Sequence, residues 1–196
     1  MMIEQSPAVQ RPLWMIVGPA LGTMLTAYLI GALIGPLRET LERDMGYSTM
    51  VNLIVLAIHF LALAVGFAPG LLLGRRAPNA IAAPAIGLML LGVLVLAFAA
   101  NAVMVMAASL FIGFGSGAVL GTALALAGQA GARRTAMLIA VAAVAFVGLL
   151  FGLVFGWFLT TTVSWRWVYF MAVPMALVSL VVTGAGGIVA LTKKPA

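Results

Sequence analysis

The sequence predicts an all-α, polytopic membrane protein that crosses a bilayer six times. Three observations predict it. Hydrophobic residues make up 65% of the chain and charged residues only 7%, where a soluble domain carries about 25% charged residues. The mean hydropathy is +1.25. The apolar residues also fall into six runs, each near the roughly 20 residues a helix needs to cross a hydrocarbon core. A soluble fold of 196 residues has no interior large enough to hide that surface. In lipid the requirement changes: each backbone polar group must be satisfied within the membrane.

The spans are expected at residues 14–36, 50–73, 79–100, 103–127, 136–160 and 167–191. The first run is too long for a signal-peptide core, and no small-residue cleavage site precedes a polar mature domain. It is followed by RETLERDMGYS, from Arg38 to Ser48, the longest polar stretch in the chain. Gly74-Arg75-Arg76-Ala77-Pro78 stops the second span, and Asn79 is placed to cap the third. Ala100-Asn101 is a tight turn into the fourth span. Gln129 to Thr135, with two arginines, separates the fourth from the fifth, and Thr160 to Arg166 ends the fifth. No long linker interrupts the series. One bundle over residues 14–191 is therefore expected, between an N-terminal segment 1–13 and a tail 192–196. Pro19, Pro69, Pro84 and Pro174 are expected to loosen or kink spans one, two, three and six.

Lysine and arginine positions set the orientation. With the N-terminus inside, the cytoplasmic side holds seven basic residues: Arg11, Arg75, Arg76, Arg133, Arg134, Lys193 and Lys194. The outer side holds three, Arg38, Arg43 and Arg166, together with the acids Glu39, Glu42 and Asp44. Both ends are therefore expected on the cytoplasmic side of a multi-pass protein of the cell inner membrane. Trp165, Trp167 and Tyr169 are expected at an outer interface, with Arg166 between them. The net charge of +6 lies in short pairs between apolar runs, which suits membrane topology and not nucleic-acid binding.

Helices in lipid associate through close packing. The fourth span carries Gly113, Gly117 and Gly121, and the fifth carries Gly148, Gly152 and Gly156. Both are small-xxx-small stripes. Ordinary helix packing explains either stripe, and helices that slide past one another, as in transporters, would also use them.

The order of features resembles the N-terminal half of a major facilitator superfamily transporter, particularly its drug:proton antiporter branches. Four passages carry the resemblance, which runs from about Trp14 to Leu191. ALIGPLRETLERDMGYS looks like the family's "ALP-x-I-x-x-x-L-G-x-S" passage, with Pro36 and Gly46 in register. PGLLLGRRAP, with Gly70, Arg75 and Arg76, is similar to the glycine-and-arginine motif of the cytoplasmic loop between helices two and three. SLFIGFGSGAVLGTALAL is similar to the glycine-rich fourth helix. GLLFGLVFGWFLTTTVSWRWVYFMAVPMAL resembles the fifth-helix motif followed by the "WRW-x-F-x-x-x-x-P" entry to helix six, with Trp165, Arg166, Trp167, Phe170 and Pro174 in place.

The chain also departs from that pattern. The span-one Asp of this branch is Ala27 here, the Asp of the loop motif is Gly74, and the Arg near the start of helix four is Ser109. The fifth-helix "GP-x-x-GG" is altered, with Leu153 after Gly152 and Trp157 after Gly156. In the family these positions are associated with coupling, gating or conformational change.

No Asp, Glu, Lys or Arg falls well inside an expected span, although such groups usually mark function in membranes. His59, in span two, is the one titratable exception. It reads as a neutral imidazole hydrogen-bonded within the bundle, as a proton-coupling residue, or as an axial ligand to a tetrapyrrole metal. No cofactor is otherwise expected. The neutral polar groups in the spans are Thr23, Thr26, Asn52, Ser109, Ser116, Thr122, Ser179 and Thr183. Serine and threonine in apolar helices commonly bond back to their own backbone. By the resemblance, spans one and four border a central cavity, which makes Thr23, Thr26, Ser109 and Ser116 cavity candidates for a neutral or amphipathic substrate. There are no cysteines, and no phosphate loop, HExxH or catalytic triad pattern is present, so an enzyme is not expected.

Two functions remain open. One is a half-size transporter working as a parallel homodimer or with a separate partner half. The other is a transporter-derived accessory subunit of a larger respiratory or photosynthetic membrane complex, holding a pigment, quinone or lipid. The lost charges and the bulky Trp157 favour the second; the extent of the resemblance favours the first.

Overall fold

The computed structural model describes residues 13–192, Pro36 excepted. Arg11, Pro36, Lys193, Lys194 and most of both terminal segments lie outside the described residues. A 3-10 turn, Leu13–Ile16, leads into α1 (Val17–Ile34). Then follow α2 (Leu37–Met45), α3 (Thr49–Leu73), α4 (Pro78–Ala97) and α5 (Ala102–Gly128). A second 3-10 turn, Gly131–Arg133, joins α5 to α6 (Arg134–Thr162), and α7 (Trp165–Thr192) ends the described chain. Six helices, all but α2, are long and apolar enough to cross a membrane. A lipid bilayer is the environment such a chain suits, because their outward faces carry large apolar side chains such as Phe60, Leu61, Phe146 and Trp157.

The spans fall within a few residues of the expected ones, with four local differences. The polar stretch after α1 is not all loop: residues 37–45 form α2, a short amphipathic helix that buries Leu37 and Leu41 and leaves Glu39, Arg43 and Asp44 exposed. Asn79 does not cap α4. The capping position is Ala77, Pro78 occupies the first turn, where its missing N–H costs nothing, and Asn79 packs against Gly186 and Gly187 of α7. Pro19 sits in the first turn of α1, where its missing N–H removes no bond within α1; Pro69, Pro84 and Pro174 are inside their helices. Trp165 and Tyr169 do not face the outer interface. Each is only 2% exposed, because positions 165, 168, 169, 172 and 176 form the inward face of α7. Trp167, on the opposite face, is exposed.

Side-chain caps fix where two spans begin. Ser48 Oγ accepts from the Val51 N–H at the start of α3 (3.5 Å), and Asn101 Oδ1 accepts from the Met104 N–H at the start of α5 (3.0 Å). At the far end of α4, Arg166 takes over the free carbonyls. Its Nη1 donates to Ala97 O (2.8 Å) and its Nη2 to Ala99 O (3.0 Å), while the guanidinium lies 4.5 Å over the Trp165 ring.

The helices pack in a repeating pattern. α3 packs on α5, and α6 on α1; α4 packs on α5, and α7 on α1; α4 and α7 pack on each other, as do α1 and α5. Exchanging the first three spans for the last three turns α3–α5 into α6–α1 and α4–α5 into α7–α1 and leaves α4–α7 and α1–α5 in place, whereas the packing of α6 on α5 has no matching packing of α3 on α1. α1 and α5 are the most buried spans and α6 the least. The core between them is built from Leu25, Tyr28, Ile86, Met89, Val93, Val119 and Val168. The two ends of the bundle differ in charge. Arg75, Arg76, Arg133 and Arg134 gather where α3 and α5 finish and α6 begins, with no acid among the described residues there. The opposite end holds Arg38, Arg43 and Arg166 with Glu39, Glu42 and Asp44.

Candidate functional site

The site is organised by two helix pairs, each drawn together by glycine. Spans alternate in direction, so α3 and α5 are parallel, and so are α1 and α6. Between α3 and α5 the contact is reciprocal. Gly113, Gly117 and Gly121 of α5 lie against the backbone carbonyls of His59, Leu63 and Phe67. Gly66 and Gly70 of α3 lie against those of Phe114 and Ala118, and Gly74 against Thr122. A Cβ at any of these six positions would meet the facing helix within 3.0 Å. Such proximity permits Cα–H···O contacts and continuous dispersion along the seam. Thr122 adds a hydroxyl that donates to Ala118 O (2.8 Å) and reaches Gly70 O (3.4 Å).

The α1–α6 pair repeats the device. Gly148 and Gly152 lie against the carbonyls of Met24 and Tyr28, Gly156 against Ala32, and Gly31 of α1 against the Leu149 carbonyl. Tyr28 links three helices: its carbonyl meets Gly152, its ring lies 5.7 Å from that of Phe151, and its hydroxyl donates to Val168 O on α7 (2.9 Å). Ser179 Oγ of α7 donates to Gly18 O of α1 (2.9 Å). Both glycine stripes read in the sequence are therefore packing seams. Gly70, quoted with the 2–3 loop motif, lies inside α3 and belongs to the same seam. Its companions Gly66 and Gly74 share the four-residue spacing that identifies the stripe.

The four cavity candidates lie inside the bundle. Thr23, Thr26, Ser109 and Ser116 are 2%, 4%, 5% and 1% exposed. Thr23 Oγ1 donates to Pro19 O (2.9 Å) and Thr26 Oγ1 to Gly22 O (3.0 Å), each bonding back one turn. Ser116 Oγ is buried without a hydrogen-bond partner among the described residues. His59 is 3% exposed, on the α3 face that meets α5, and its Nε2 also has no partner there. Its ring stands edge-on to Phe60, 5.3 Å between centroids. A buried imidazole nitrogen and a buried hydroxyl without partners are polar groups that an apolar bundle does not need for packing. Among the described residues no three His, Asp or Glu side chains gather as a metal site.

At the opposite end from the arginine cluster, Asn52 holds α2 to α3, a role its sequence position did not announce. Its Nδ2 donates to Glu42 Oε1 (2.8 Å) and to Arg38 O (3.3 Å), and Thr49 Oγ1 donates to Glu42 Oε2 (3.3 Å). The bond from Asn52 is the main cause that lowers the Glu42 pKa; desolvation opposes it, and Thr49 and Arg38 add to the lowering. Burial, and then the Glu42 charge, raises the pKa of Tyr47. At the arginine end, Gln129 Nε2 donates to Arg75 O (3.1 Å), tying the α3–α4 turn to the end of α5.

No family model matches the chain. No curated protein matches it in sequence.

Proposed function

We propose that the chain is a half-size membrane transporter of the major facilitator type, moving a neutral or amphipathic small molecule as a parallel homodimer or with a partner half. The observation that carries the reading is the exchange pattern of the six spans. The main helix pairs are preserved when spans one to three replace spans four to six, α6 on α5 excepted; an inverted repeat of three helices produces such a scheme, and such repeats build each six-helix half of that superfamily. The arginine-rich end, with no described acid, supports an orientation with both termini in the cytoplasm. The sequence resemblance supports the same reading, above all Trp165, Arg166 and Trp167.

In this reading α1 and α5 form the centre of the half, and α3 and α6 flank them without packing on each other. The glycine seams join each flanking helix to a central one. The half therefore moves as two tight pairs, and His59 is a buried titratable residue whose own carbonyl lies in the α3–α5 seam. Reconstituting the purified chain alone in vesicles loaded with amphipathic fluorescent dyes tests the proposal. Dye flux dependent on the chain is the expected result. Absence of flux across the dye panel, together with stoichiometric recovery of the chain in a larger native membrane complex, would overturn it.

One observation favours the accessory-subunit alternative. The four candidate polar side chains are covered within the bundle, and Thr23 and Thr26 are already engaged with their own backbone. A subunit that only packs beside others has no need of an open polar face.

A further inference from the structure

An open apolar groove of about 230 Å³ runs between the first turns of α1 and α6 at the arginine-rich end. Val17 and Leu21 form one wall; Met137, Ala140, Val141 and Val144 form the other. Arg134, Met137, Val141 and Val144 are spaced i, i+3, i+7 and i+10, so Arg134 stands on the groove-lining face of α6, one turn beyond its mouth. Arg133 adjoins it, and both arginines are exposed. The bond from Gln129 to Arg75 O holds the Arg75-Arg76 turn to the end of α5, at the same end of the bundle.

We propose that this groove binds one anionic phospholipid, an acyl chain lying along it and the phosphate meeting Arg133 and Arg134. Three observations select that occupant. First, the charge is complementary: four arginines and no described acid stand at this end, whereas at the other end three arginines are balanced by three acids. Second, the lining is apolar throughout, which suits a hydrocarbon chain and offers nothing to a polar solute. Third, the length fits. From Arg134 to Val144 the helix rises about 15 Å, half of a hydrocarbon core of about 30 Å. The groove together with Arg134, one turn beyond its mouth, therefore reaches from headgroup level to the mid-plane, the depth of one leaflet. Basic side chains beside grooves between membrane helices hold phosphate headgroups by such contacts. The proposal requires the bilayer setting but not transport activity.

Native mass spectrometry of the full chain tests it, with phosphatidylglycerol and phosphatidylcholine of identical acyl chains supplied in equal amounts. Retention of phosphatidylglycerol over phosphatidylcholine is expected. The double variant Arg133→Gln/Arg134→Gln should lower that preference on the order of tenfold, and Ala140→Trp, which fills the groove, should lower retention of both lipids. Arg43→Gln, at the opposite end, should change neither. Equal retention of the two lipids by the unaltered chain would overturn the proposal, as would a double variant with undiminished preference. A change in copy number in Ala140→Trp with lipid retention unaltered would also overturn it, by assigning the groove to a second copy of the chain.

Discussion

The Cα of Gly117 in α5 lies so close to the carbonyl oxygen of Leu63 in α3 that no side chain fits between them. The neighbouring glycines repeat the contact along the seam, and Gly152 against Tyr28 reproduces it between α6 and α1. Lipid tails are as apolar as leucine, so expulsion of apolar surface cannot hold these pairs together; close backbone approach can.

Gly117→Ala and Gly152→Ala are therefore expected to destabilise the bundle, each by about 1–3 kcal/mol, because the group that would have to yield is backbone. Gly87→Ala, where a Cβ meets nothing within 4 Å, should be neutral or slightly stabilising. Thermal midpoints followed by tryptophan fluorescence in mild detergent will separate the two classes. Equal midpoints across all three variants would remove the seams from the account.

Arg166→Lys is expected to lower stability by about 1–2 kcal/mol. A lysine ammonium lacks the planar fork that reaches Ala97 O and Ala99 O together. Amide hydrogen exchange should quicken in the turn around residues 98–101 and leave α3 unchanged. Unaltered exchange in that turn would contradict the capping role.

The docking of α2 on α3 should depend on pH in one direction. The Glu42 pKa is lowered from its ordinary 4.5, chiefly by the Asn52 bond. A depressed carboxylate stabilises the docked state above its undocked pKa, and that contribution is lost as pH falls through the docked value. The Asn52 side-chain amide signals in NMR spectra should therefore hold steady from neutral pH down to 4.5 and move only below it. Glu42→Gln should abolish the transition. A midpoint above 4.5 would contradict the assignment.

His59→Ala tests whether the buried imidazole acts in transport. Dye flux driven by a pH gradient is expected to fall to the level seen without a gradient, with the helix content and copy number of the chain retained. Gradient-dependent flux that survives the substitution would leave His59 a packing residue. Loss of a visible absorption band on purification would instead mark it as a pigment ligand.

The fold was largely readable from the sequence because lipid imposes a simple rule: runs of about 20 apolar residues become helices. The glycine stripes at 113, 117 and 121, and at 148, 152 and 156, were readable for the same reason, since four-residue spacing survives any context. What they pack against was not, because partners such as Leu63 and Tyr28 carry no mark of their own. α2 escaped notice because its charges resemble a loop, while only Leu37 and Leu41 reveal the inward face. Asn79 does not cap α4 because the helix starts one residue earlier, at Pro78, with Ala77 in the capping position and no side-chain cap bond. Residue type alone points Trp165 and Tyr169 to the interface, yet the 3.6-residue period of α7 turns them inward. The polar candidates in α1 followed the commonest behaviour of threonine in apolar helices, bonding back to the preceding turn.

The central claim is that two six-span halves are needed to move a substrate. Dye flux should be measured in vesicles reconstituted with the chain alone, over a range of protein-to-lipid ratios. A homodimeric transporter predicts flux that rises with the square of chain density when most vesicles hold fewer than two copies, and in direct proportion once each holds several. Flux that rises in direct proportion to chain density even where most vesicles hold a single copy would contradict it.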